Sequence, residues 1–127
     1  MSRPMAVALL AITAVSASAD AHTLKPEQEA KIKPAGKPVN CVPIRSIRET
    51  RVRDDSTIDF YMAGRRVYRN RLPQPCPSLG FEERFSYSTS LSQLCSVDII
   101  TVLYSSPAQR GTSCGLGKFQ PISGAPK

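Results

Sequence analysis

The sequence predicts a small all-β fold, an antiparallel barrel or curled sheet of five to six strands with one short helical turn and two disulfides. Three observations carry that expectation: apolar alternation with a period of two through the middle of the chain, turn chemistry between the alternating runs, and an even set of four cysteines confined to one stretch. At 127 residues the chain has room for one domain, and its two ends differ in composition from its middle.

Residues 1–21, MSRPMAVALLAITAVSASADA, place Arg3 before an uncharged run from Ala6 to Val15 and small residues around Ala17, Ser18 and Ala19. That order is a secretory signal peptide, with cleavage after Ala19 or Ala21, and it predicts a periplasmic or secreted protein. The apolar run is shorter than the ~20 residues a spanning helix needs, so no membrane span is expected. The first cysteine is Cys41, well past the cleavage region, so a lipid-anchored leader is not expected either. Residues 22–40 carry four Lys, three Pro and almost no bulky apolar side chain, which predicts a flexible tether; residues 123–127 read as a disordered tail.

The predicted disulfide-stabilised domain is therefore residues 41–122, with Cys41, Cys76, Cys95 and Cys114 inside it. Zinc sites bring cysteines in close pairs, and here the nearest two are 19 positions apart, so two disulfides are the better reading. Three connectivities exist and the sequence does not choose among them. Pairing Cys41 with Cys114 and Cys76 with Cys95 is preferred because it staples the two ends of the domain. Each bridge contributes roughly 3 to 4.5 kcal/mol in the chain-entropy model.

Ile58, Phe60 and Met62 alternate with Asp59 and Tyr61, the signature of a half-buried strand. Asp54-Asp55-Ser56 before it is turn chemistry, and Gly64 after it suits a hairpin position with positive φ. Three-residue loops then set Val52 opposite Ile58, Thr50 opposite Phe60 and Phe60 opposite Tyr68. The other face carries Arg51, Asp59 and Arg69 side by side, flanked by Arg53 and Arg71. A short strand is expected in RFSYS (84–88) and a central one, apolar on both faces, in VDIITVLY (97–104). Ser90 three residues before Gln93 suggests a capping box opening the helical turn. The last strand runs from Lys118 to Ile122, and Pro121 predicts an edge position for it.

The chain carries a net charge of +7 and residues 41–122 carry +4 of it, all of which is local to residues 45–71, with eight Arg and four acids. Arginine forks suit carboxylates and phosphates, so Arg51, Arg53, Asp59, Arg69 and Arg71 form a candidate face for an acidic periplasmic protein or an anionic envelope component. The simpler reading is a solvated face laced with cross-strand ion pairs. No nucleic-acid motif is present, and export argues against such a partner.

Catalysis finds little support. The sole histidine, His22, stands in the tether, disulfides use all the thiols, and Asp54-Asp55 and Glu82-Glu83 read as a turn and an exposed loop. GTSCGLGKF (111–119) is not a phosphate-binding loop: five residues separate Gly111 from Gly117 where four are needed, and Phe119 replaces the hydroxyl residue. No catalytic residue, cofactor or metal is expected. A binding or structural module is the leading expectation, and a small enzyme or enzyme inhibitor acting through loops near Cys76 or 105–113 is the alternative.

Cys41, Asp54, Asp55, Leu72, Cys76-Pro77, Leu94-Cys95, Cys114, Leu116, Gly117 and Phe119 resemble the pattern of an uncharacterised family of short exported proteobacterial proteins, a domain of unknown function. The resemblance spans residues 41–122 and implies a common fold and export, with no activity attached. Some members of that family carry a lipoprotein-type leader, from which this sequence departs.

Overall fold

A computed structural model describes residues 22–89, 91–105 and 107–127; the expected signal peptide lies outside them. Ten strands run in chain order: β1 Lys33–Pro34, β2 Cys41–Pro43, β3 Ile47–Asp54, β4 Thr57–Met62, β5 Val67–Arg71, β6 Phe85–Tyr87, β7 Gln93–Cys95, β8 Ile99–Ser105, β9 Ala108–Gly115 and β10 Phe119–Ser123. Helical turns are α1, Pro26–Glu29, and α2, Leu79–Glu82. All strand pairs are antiparallel, in a five-stranded sheet of order β1-β10-β5-β4-β3, a three-stranded sheet β6-β8-β9 and the pair β2-β7. The all-β antiparallel class is as expected. The strands divide among three sheets and do not close into a barrel.

The β3–β4–β5 meander has the expected register: Val52 faces Ile58, Thr50 faces Phe60, Arg51 faces Asp59, and Asp59 faces Arg69. Asp54 shapes the first turn by accepting the Ser56 N–H at 2.8 Å, as an Asx turn does. The ladder ends on Asp54 opposite Thr57, one residue tighter than a three-residue loop, and a bulge at Arg53 absorbs the difference. Gly64 has φ 79°, the left-handed conformation that glycine adopts without strain.

The inward face of this meander builds the core. Ile58 and Phe60 are fully buried with Val52, and Phe60 meets Phe119 of β10 and Phe85 of β6 edge to face, with ring centroids 5.3 and 6.4 Å apart. Val42, Leu79, Leu94, Ile100, Val102 and Leu116 complete the cluster, so both larger sheets and the β2–β7 pair share one apolar interior. β8 is central in its sheet, but Val97 is exposed and Ile99 half-exposed, so this strand is buried on one face only.

Four further expectations are corrected. The disulfides join Cys41 to Cys95 and Cys76 to Cys114. Cys41 and Cys95 lie directly opposite in the β2–β7 ladder, Cα atoms 4.0 Å apart, and this contact puts Cys114 within reach of the α2 loop instead of the domain's first residue. The helical turn forms at Leu79–Glu82; Gln93 lies in β7, and Ser90 is outside the described residues. β10 is interior, not an edge: Pro121 lacks an N–H, but its carbonyl accepts the Ala35 N–H at 2.8 Å beside the two-residue β1. Residues 22–40 are also no free tether, because α1 and β1 hold them across the outer face of the five-stranded sheet.

Gly117 is the position that binds the closing loop to the sheet. Asn70, fully buried in β5, accepts the Gly117 N–H at 2.8 Å and donates to its carbonyl at 2.7 Å. A Cβ at Gly117 would lie 2.1 Å from the Arg71 carbonyl oxygen, whereas one at Gly115 meets nothing within 4 Å. Gly117→Ala is therefore expected to lower stability by ~2 kcal/mol or more, with Gly115→Ala close to neutral, measured by urea titration. Peptide mapping without reductant should recover the 41–95 and 76–114 pairs.

Candidate functional site

The outer face of the five-stranded sheet is where the predicted site residues meet. Asp59 is fully buried there, and Arg53 and Arg69 are each only 4% exposed. Arg69 holds the carboxylate with two parallel bonds, Nε to Oδ1 at 2.8 Å and Nη2 to Oδ2 at 2.9 Å. Arg53 adds Nε to Oδ2 at 2.8 Å. Two guanidinium groups thus enclose one carboxylate, in the planar fork geometry that favours Arg over Lys.

The surplus positive charge is met from the chain's N-terminal segment. Glu29, at the end of α1, grips the far side of Arg69, with Nη1 to Oε2 at 2.8 Å and Nη2 to Oε1 at 3.2 Å. The His22 carbonyl accepts from Arg53 Nη1 at 2.7 Å, and Thr23 Oγ1 donates to the Arg53 carbonyl at 3.0 Å. Burial works against the charge on Arg69, but the hydrogen bonds to Asp59 and Glu29 outweigh it and hold the guanidinium above its ordinary pKa range.

Arg51 has a different neighbourhood from the expected one. It faces Asp59 in the ladder, yet its Nε donates to Glu49 at 3.1 Å and its guanidinium lies 4.1 Å from the Tyr61 ring centre. The bulge at Arg53 explains the exchange, since it turns Arg53 toward Asp59. The Glu49 bond raises the Arg51 pKa against partial burial, and the same bond lowers that of Glu49. Tyr61 Oη accepts from Arg51 and Arg53 and donates to the Pro126 carbonyl, which also takes Arg51 Nη1 at 3.2 Å. The expected disordered tail is thereby anchored on this face.

Of the five expected site residues, Arg51, Arg53, Asp59 and Arg69 join one self-neutralised network, and the face is closed instead of solvated. Arg71 stands apart. It is exposed and, among the described residues, has no carboxylate within ion-pair distance; the same holds for Lys118. The two cations line a cleft of about 470 Å³ with Gln120, Ile32, Glu29 and Arg69. The sequence gives no signal for Glu29, the His22 carbonyl or Pro126, since each acts through long-range docking of a polar segment. Tyr61 was visible as a residue of the outer face but not as its hub.

The expected loop at 105–113 is instead largely strand, since β8 ends at Ser105 and β9 begins at Ala108, and the disulfide ties Cys114 of β9 to the loop at Cys76. Beside their bridge lies a groove of about 450 Å³ lined by Pro73, Pro75, Pro77, Thr112 and Ser113. Glu82 accepts the Ser105 N–H and hydroxyl at 3.3 and 3.2 Å, a structural role for one of the acidic pair.

Breaking the buried network from its centre should be costly. Asp59→Asn leaves two buried guanidinium groups short of their counter-charge and is expected to destabilise by ~3–5 kcal/mol. Arg51→Ala, at the rim, should cost only about 1 kcal/mol; thermal unfolding monitored by near-UV circular dichroism ranks the pair. Comparison of the chain with family models, with curated proteins and with solved structures finds no match, so the site is defined by this geometry alone.

Proposed function

We propose that this protein is a non-enzymatic, exported binding module that recognises an acidic protein partner through the cleft at Arg71 and Lys118. The observation that carries the reading is the contrast among the basic residues around Asp59 and the cleft: Arg51, Arg53 and Arg69 are committed to Glu49, Asp59 and Glu29, while Arg71 and Lys118 stay exposed on one cleft. Cations held at the end of β5 and just before its neighbour β10 lose little backbone entropy when they meet carboxylates. The two disulfides suit an oxidising compartment, and no helix among the described residues is long and apolar enough to cross a membrane. Periplasmic or extracellular placement and membership of the resembled exported family belong to this proposal.

A second reading rests on the groove beside Cys76–Cys114. Its walls are proline rings, hydroxyls and backbone, which suit an inhibitory loop better than acid–base chemistry.

Retention on immobilised polyglutamate tests the first reading. Arg71→Ser/Lys118→Ser should weaken binding about tenfold and flatten its salt dependence, whereas Arg110→Ser on β9 should leave retention unchanged. Equal retention of all three proteins sinks the proposal. Phosphatidylglycerol vesicles run in parallel distinguish an anionic lipid surface, and preference for the vesicles would overturn the acidic-protein assignment.

A further inference from the structure

The N-terminal segment occupies its place on the sheet in the manner of a bound peptide. Residues 22–34 contribute nothing to the apolar core, whose described members begin at Val42. No residue of α1 is buried, and β1 is two residues long. Leu24 and Ile32 are only half-buried. What holds the segment is polar: the Glu29 carboxylate on the Arg69 fork, the His22 carbonyl and Thr23 hydroxyl on Arg53, and the β1 ladder on β10, where Lys33 pairs with Ser123 and Pro34 with Ile122. Such contacts exchange at modest cost, because a competing chain can reproduce each of them.

Beneath the segment lies a surface already shaped for an extended acidic peptide. Arg69 keeps one edge of its fork on Asp59 and offers the other outward. With Glu29 withdrawn, Asp59 pairs with Arg53 and Arg69, and Arg71 and Lys118 have no carboxylate beside them, so these four cations against one carboxylate leave three surplus positive charges. Val39 stays paired with Phe119 and Ala35 with Pro121, so the departure of β1 frees the Ile122–Ser123 end of the β10 edge, on which a short strand can add.

We infer that residues 22–34 are an exchangeable strap, an internal mimic of the acidic partner. The partner's carboxylate takes the place of Glu29 on Arg69 while its backbone replaces β1 beside β10. The strap acts as a tethered competitor at an effective concentration of order mM, and it sets the threshold a partner must exceed. This rests on the reading that the module binds an acidic partner, and it adds the site's geometry and its regulation.

A fluorescent peptide with the sequence of residues 23–34 is the probe, titrated into the purified protein and followed by anisotropy. Glu29→Ala, at a half-exposed side chain, removes the strap's carboxylate; Glu27→Ala is the control on the same turn. The Glu29→Ala protein should bind the probe about tenfold more tightly than the wild type or Glu27→Ala. A probe with Gln in the place of Glu29 should lose that gain. Hydrogen exchange on the wild type should show amides of residues 28–35 opening while those of β4 stay protected. Equal probe binding by all three proteins, or strap amides as slow as those of β4, overturns the inference. Loss of polyglutamate retention in Arg71→Ser/Lys118→Ser together with equal probe binding would discard the strap and keep the acidic-partner reading. The opposite pair of results would discard that reading and keep an exchangeable strap.

Discussion

The carboxylate of Asp59 governs the outer half of this protein. It is fully buried on the sheet face that points away from the core, where a strand residue would ordinarily meet water. A buried charge is tolerated only when paired and hydrogen-bonded, and three bonds from Arg53 and Arg69 provide this. The two guanidinium groups then need partners of their own. Glu29, the His22 carbonyl and the Tyr61 hydroxyl supply them, so the burial of one acid recruits the N-terminal segment and, through Tyr61, the C-terminal tail.

The neighbouring residue organises the other half. Phe60 follows Asp59 in β4, and strand alternation sends it to the opposite face, against Phe119 and Phe85. One strand therefore anchors both an ionic layer and an apolar one. Removal of the strap leaves the apolar layer, both disulfides and the Asn70–Gly117 clamp in place. That separation of layers allows the N-terminal segment to be a regulatory element without being a folding element.

The functional consequence concerns which charges are available. A count of arginines along β3 to β5 overstates the positive surface, because neutralisation inside the fold removes Arg51, Arg53 and Arg69 from it. What remains beside the cleft is Arg71 with Lys118, a residue that the sequence places far away and that β10 brings next to β5.

The all-β class, the β3–β4–β5 register and the division of that meander into an apolar face and an arginine face are legible in the sequence. These follow from alternation and turn chemistry, which are local: the strand period puts Ile58, Phe60 and Met62 on one face, and the loop lengths set which residues of the neighbouring strands they meet. The sequence also marked all four cysteines as paired and left their partners open. Those partners, the interior position of β10, the cover over the arginine face and the split between committed and free cations emerge once the chain is folded. Each depends on which distant segments come together, and residues 22–34 show why this is hidden from the sequence. They bear no apolar pattern to announce packing, and polar contacts to Arg69, Arg53 and β10 seat them.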